Sequence, residues 1–252
     1  MNPLNSSLVL LVSCLAWVTP VRADSCATDT IAPYSIDYQT TYAGMNIVST
    51  RVLDAVADQQ YRVGGKAKLF FMGVEEYSTF ELDSNNRIRP LQYHYDRLGL
   101  GSSKDFQLAF AWDNGQVSIK SSKGVKRLPL PVGAQDALSH QEQLRRDLRC
   151  ASAERRQQPF VYAVAGRKGI RENRYLVVGE EPLRTRLGIM DAIKLEKQDK
   201  GKRKTTFWLA PALDYVALRL KYEEADGSVY QMDIRGGTMN GISIPVREQK
   251  SQ

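Results

Sequence analysis

Tyr34, Ile36, Tyr38, Thr40 and Tyr42 occupy alternate positions of one short segment, with Ser35, Asp37, Gln39 and Thr41 between them. Successive side chains of a strand point to opposite faces, so this segment has one apolar face and one wet face. Leu91, Tyr93 and Tyr95 against Gln92, His94 and Asp96 repeat the pattern. Strands of a buried parallel sheet would instead read as continuous runs of Val, Ile and Leu. The alternation therefore restricts the chain to antiparallel sheet.

Turn chemistry joins the strands into hairpins. Phe106, Leu108, Phe110 and Trp112 alternate up to Asp113-Asn114-Gly115, and Val117 and Ile119 alternate back. Asn-Gly supplies the positive φ angles of a tight hairpin. Val216, Leu218, Leu220 and Tyr222 run into Asp226-Gly227, from which Tyr230, Met232 and Ile234 return. Asp83-Ser84-Asn85-Asn86 marks a third turn. Further strands are expected near residues 160–165, 175–178, 190–196 and 205–209, with a turn over 166–173 and a charged loop over 198–204. About ten strands follow from alternation, and a sheet of that size curls or splits into layers.

One segment breaks the period. From Asp136 to about Ala153, the residues Ala137, Leu144, Leu148 and Ala151 form a single helical stripe. Pro129 and Pro131 bar a helix upstream, Pro159 lies beyond its end, and Ser139 with Glu142 fits a capping box. The expected fold is mainly β: one large curved antiparallel sheet, a half-barrel or open barrel, with one inserted α-helix across its concave face.

The apolar run from Leu8 to Val18 is too short to span a bilayer, and Val21-Arg22-Ala23 follows it. It reads as a secretory signal over residues 1–23, cleaved after Ala23, with a single β-rich domain over 24–252 and a flexible tail from about 245. The expected address is the periplasm. Leu11-Val12-Ser13-Cys14 offers an alternative, a chain lipid-anchored through Cys14. Export leaves Cys26 and Cys150, which in an oxidising compartment are expected to form a disulfide.

Cleavage removes Arg22 and leaves +6 of the formal charge of +7. Basic clusters, among them Arg145, Arg146 and Arg149 on the helix, would raise nucleic acid as a partner in the cytoplasm. For an exported chain nucleic acid is not expected, and the polyanions at hand are lipid head groups and envelope polymers, with peripheral membrane contact as a possible consequence.

Catalytic signatures are missing. There is no G-x-S-x-G elbow, no H-E-x-x-H and no C-x-x-C. Gly65-Lys66 and Gly201-Lys202 lack the glycine that a phosphate loop requires five residues earlier, and no G-x-G-x-x-G follows a strand. The two histidines, His94 and His140, read as surface residues. No metal, cofactor or catalytic residue is expected, although glycosidase carboxylates brought from separate strands would leave no local signature.

Asp136-Ala137-Leu138-Ser139 followed by Leu144-Arg145 resembles the D-x-x-S … L-R passage of an exported bacterial family, domain of unknown function 3108. Residues 175–183, with Thr185 and Gly188, are similar to its next block. Phe207-Trp208-Leu209, Leu213-Asp214 and Asp226-Gly227 resemble its closing block, with Val216-Ala217-Leu218 where the family usually has a proline. The likeness covers roughly residues 33–236 and is looser in the N-terminal half. It implies an envelope protein of Gram-negative bacteria and brings no activity with it. The strand pattern with a midway helix also looks like the half-barrel of periplasmic lipoprotein carriers, an analogy that fixes no function.

The expected function is non-enzymatic: a lipid or other hydrophobic envelope ligand held on the concave face. Its candidate liners are Tyr38, Tyr42, Phe110, Trp112, Trp208, Leu218 and Tyr230, with Arg145, Arg146 and Arg149 facing an anionic head group. The alternatives are an envelope scaffold using exposed strand edges and, further off, a hydrolase of glycan or lipid. Oligomeric state is not fixed by the sequence.

Overall fold

The structure, a computed structural model, describes residues 31–42, 45–99, 101–198 and 203–246, without the side chains of Tyr42 and Leu69. The signal segment, Cys14 and Cys26 lie outside the described residues, as does the tail from 247. Among the described residues there is no disulfide, and Cys150 is exposed at the end of the helix.

Among the described residues a single antiparallel sheet holds fifteen strands. The first meander is β1 (Tyr34–Tyr42), β2 (Met45–Ala57), β3 (Gln60–Leu69), β4 (Met72–Leu82), β5 (Ile88–Leu98), β6 (Phe106–Ala111), β7 (Gln116–Ser121) and β8 (Gly124–Pro129). Two helices follow, α1 (Ser139–Cys150) and the single turn α2 (Ala153–Arg156). The second meander is β9 (Phe160–Gly166), β10 (Gly169–Thr185), β11 (Gly188–Lys197), β12 (Lys204–Ala210), β13 (Val216–Glu223) and β14 (Val229–Met239), with β15 (Ile242–Ser243) on the rim of β14. β1 pairs with β14, which fuses the two meanders and leaves β8 and β9 as the edges of an open barrel. The chain between those edges spans the gap: Leu130 N–H donates to Gly115 O, and Gln135 bridges to Val164 of β9.

The hairpins form as the sequence implies, with differences in detail. The loop over 112–115 is a 3-10 turn closed by Gly115 at φ 59°, so Gly115, not Asn114, supplies the left-handed residue. In β5 a register shift sets Leu91 off the ladder. Ile88, Pro90 and Tyr93 are the buried residues there, and Leu91 is only half-buried. β10 begins at Gly169, so most of the expected 166–173 turn is strand. β2, whose single buried residue is Leu53, and the exposed β8 lack strong alternation.

The helix departs most from expectation. It starts at Ser139, and the capping box is Asp136 with Ser139 rather than Ser139 with Glu142. Asp136 Oδ1 accepts from the N–H groups of Leu138 and Ser139, while Ser139 Oγ accepts from Asp136 N–H. Eight of its twelve residues are buried, six of them polar or charged. It does not lie on the sheet with one apolar stripe; it sits inside the barrel, between the meanders. Leu144 and Leu148 enter the core made by Phe160, Tyr162, Tyr175 and Leu195, and a second core lines β1–β7 around Ile36, Leu53, Phe80 and Tyr93.

Candidate functional site: a cup plugged by a polar helix

A polar helix can be buried only if its side chains find partners, since an unpaired buried polar group costs about 1–3 kcal/mol. Here the partners come from both meanders. Ser78 Oγ donates to Asp136 Oδ2 at 2.6 Å, and Gln143 Oε1 accepts from Ile88 N–H at 2.7 Å. Arg51 reaches Gln141, and Arg146 reaches Asn86 O. From the other side Tyr162 donates to Asp147, and Asp214 accepts from both Arg145 and Arg149. Arg145 lies over the ring of Tyr34 and pairs with Glu142 at 2.6 Å, while Tyr34 donates to that same carboxylate.

Most of these partners stand at one end of the strands. Asn86, Ile88 and Asp214 belong to the turns over 83–87 and 211–215 or their flanks, and Tyr34 opens β1. The helix thus closes that end. The antiparallel registers put the opposite end at the turns over 70–71, 101–105, 122–123, 167–168 and 224–228.

Between the helix and that opposite end is a cavity of about 770 Å³. Its apolar wall includes Tyr38, Val74, Val164, Phe207, Leu220, Tyr222, Tyr230 and Met232. Arg51, Arg171, Lys197 and Arg203 bring positive charge, and Ala137, His140 and Gln141 of the helix region form the floor. Along the ladder Arg51 faces Gly65, which faces Glu76, so a residue without a side chain leaves space between two charged ones. Glu76 accepts from the hydroxyl of Tyr93 at 2.6 Å.

Two buried groups at the start of the helix, His140 on the floor and Asp136 behind it, have shifted titrations. His140 Nδ1 is 2.8 Å from Asp136 O, which can only accept, so that nitrogen carries the proton and Nε2 accepts from the hydroxyl of Tyr175. Burial lowers the pKa of His140 to about 4, against the raising effect of that carbonyl. Burial also raises Asp136 to about 6, although its hydrogen bonds to Ser139, Ser78 and Leu138 pull the other way. At neutral pH the His140 imidazole on the floor is neutral, held between the Asp136 backbone carbonyl and the Tyr175 hydroxyl. His140 is therefore an interior residue, contrary to the surface position expected, because the helix that carries it is interior; His94 is partly exposed and stacks on Tyr77.

Of the seven expected liners, Tyr38 and Tyr230 line the cavity. Phe110 and Leu218 are buried in the core around β1–β7, and Trp112, stacked on Phe110, donates to Pro90 O. Trp208 shares that core and donates to Glu181 at 2.5 Å, beneath Lys194 and Arg219. The side chain of Tyr42 lies outside the described residues. Arg145, Arg146 and Arg149 do not line the cavity; they hold the plug in place. Arg51, Glu76, Asn173 and Phe207 were not anticipated. A signal existed for Arg51, which alternates with Leu53 and faces Ile36, so a charge stands at an inward position.

The passages that carried the family resemblance now have physical roles. Asp136 and Ser139 cap the plug, Leu144 packs it, Arg145 ties it to Asp214, and Tyr175 holds His140. No curated protein matches the sequence. The family described as "Protein of unknown function (DUF3108)" matches residues 33–235, and the chain belongs to that family.

Proposed function

We propose that the protein is a non-enzymatic binding protein of the cell envelope that holds an anionic amphiphile in the cup. The carrying observation is the cavity of about 770 Å³ with an aromatic and aliphatic wall and a set of cationic side chains. Ligand sites of this kind range over about 300–1,000 Å³ and combine an apolar lining with a few placed polar groups. The apolar part of the ligand lies against Tyr38, Phe207, Leu220 and Met232, and its acidic group is met by Arg51, Arg171, Lys197 and Arg203. The apolar run and small-residue cleavage site at the start of the chain support an envelope address.

Two further observations favour this reading over its alternatives. Hydrolysis by paired carboxylates needs two of them in one cleft, and among the described cavity-lining residues Glu76 is the single one, engaged with Tyr93. A scaffold using strand addition needs an open edge, and β8 is such an edge. Lys126, Arg127 and Pro129 stand along it, residue types that discourage strand pairing. Native mass spectrometry of the purified protein, with titration of an apolar fluorescent dye, tests the proposal. A co-purifying amphiphile or saturable dye binding displaced by lysophosphatidylglycerol is expected; no lipid and no dye binding would refute it.

A further inference from the structure

The tip of the β3–β4 hairpin runs against the chemistry of its own turn. Leu69 pairs with Met72, so Phe70 and Phe71 alone make the loop. Two-residue hairpin loops favour Gly, Asn or Asp, because a positive φ is needed. Phe70 nevertheless sits at φ 54°, a conformation that bulky residues rarely adopt. Both rings face solvent, at 79% and 78% exposure. Other exposed apolar residues, such as Val132 and Ile189, are scattered over the surface.

The tip is also braced. Gly99, at φ 67°, passes so close that a Cβ there would fall 2.1 Å from the carbonyl oxygen of Phe71. The loop after β5 therefore packs against the turn at Phe71.

Its position matters. Ala67 and Val74 face each other across β3 and β4 and line the cavity. At about 3.3 Å per residue the aromatic tip stands roughly 10 Å beyond them, on the cavity's open side. Turns at this end carry Lys104, Lys123, Arg167, Lys168 and Arg203, against Asp105, Glu224 and Asp226. At the plugged end the turns and α2 nearly cancel, with Asp58, Asp83, Asp113, Glu154 and Asp214 against Arg87, Arg155, Arg156 and Arg186. Aromatic rings held out of the surface amid basic groups suit an interface that is apolar inside and anionic outside.

We infer that the open end docks on an anionic lipid bilayer, with Phe70 and Phe71 inserted at the interface and the basic turns against the head groups. The cup then faces the bilayer from which an amphiphile would enter. Insertion rests on Phe70 and Phe71, which do not line the cavity, so docking and ligand binding can each fail alone.

The test is flotation of the purified protein with phosphatidylethanolamine–phosphatidylglycerol vesicles and with phosphatidylcholine vesicles, for the native chain and for Phe70→Ser with Phe71→Ser. The native chain is expected to float with the anionic vesicles and less at high salt. The double substitution should weaken this by about ten-fold or more while leaving melting temperature and dye binding in the cavity unchanged. No flotation of the native chain, or equal flotation of the substituted one, would overturn docking. So would sedimentation equilibrium in which the native chain is a dimer that the substitutions dissociate. Loss of dye binding with flotation intact would instead remove only the cavity reading.

Discussion

The two ends of this barrel solve opposite problems. At the plugged end, charges are taken out of water and matched one by one: Arg145 to Glu142 and Asp214, Asp147 to Tyr162, Asp136 to Ser78 and to the start of the helix. At the open end, basic side chains and aromatic rings surround a space and a strained tip faces solvent. Buried polar groups without partners destabilise, and large exposed apolar groups gain nothing from folding. The plugged end therefore looks built for stability, and the open end for contact with something else. Substitutions at the plugged end should change stability, and those at the open end should change binding.

The largest effect is expected from Arg145→Met, which leaves Glu142 buried beside Tyr34 without its cation. Removing one partner of a buried pair costs about 3–5 kcal/mol, so urea denaturation should give a markedly lower midpoint or no cooperative transition. A variant of near-native stability would break the contrast between the ends.

The two groups at the start of the helix sharpen it through pH. His140 titrates below its unfolded value, so its contribution to stability is complete above pH 6.5 and is lost as pH falls toward about 4. Asp136 titrates above its unfolded value, so its contribution is complete below pH 3.8 and is lost as pH rises through about 6. The two slopes oppose each other in the native protein. The cost of His140→Gln should therefore shrink, by about 3 kcal/mol, as pH falls across that window. The cost of Asp136→Asn should shrink as pH rises across its own. Denaturant titrations at several pH values check both signs.

Smaller changes are expected at the open end. A Cβ added at Gly65 would meet only Thr50 O, at 3.5 Å, and Gly65 lines the cavity between Arg51 and Glu76, so Gly65→Val should fit its strand while its methyl groups enter that space. Stability should move by less than about 1 kcal/mol and dye affinity should drop about ten-fold. Phe70→Gly should raise stability by about 0.5–1 kcal/mol, because it relieves the left-handed conformation, although the exposed ring would be lost.

The sequence announced much of the plugged fold and little of the open cup. Strands with one dry face, such as Tyr34–Tyr38 and Phe106–Phe110, alternate cleanly because their inner residues pack in the core. β2 and β3 do not, because parts of their inner face, at Ser49, Arg51, Gly65 and Ala67, border the cavity, where apolar filling is not required. That is why alternation yields fewer strands than the sheet contains. The helix was visible from Leu144 and Leu148, yet its place inside the barrel was not. Hydrophobic periodicity registers apolar faces only, and this helix is buried through hydrogen bonds to residues far away in the chain. The arginines on it read as a surface charge for the same reason. Phe70 and Phe71 gave no sign of exposure, since adjacent aromatics are ordinary in strands and only the turn register puts them at a tip.

Backbone amide shifts during a titration with lysophosphatidylglycerol test the division between the ends most directly. Binding in the cup predicts saturable shifts at Thr40, Ala67, Thr205 and Tyr222, with Asn86, Arg149 and Asp214 unmoved. Shifts centred on the helix and its arginines, or spread evenly over the surface, would contradict it.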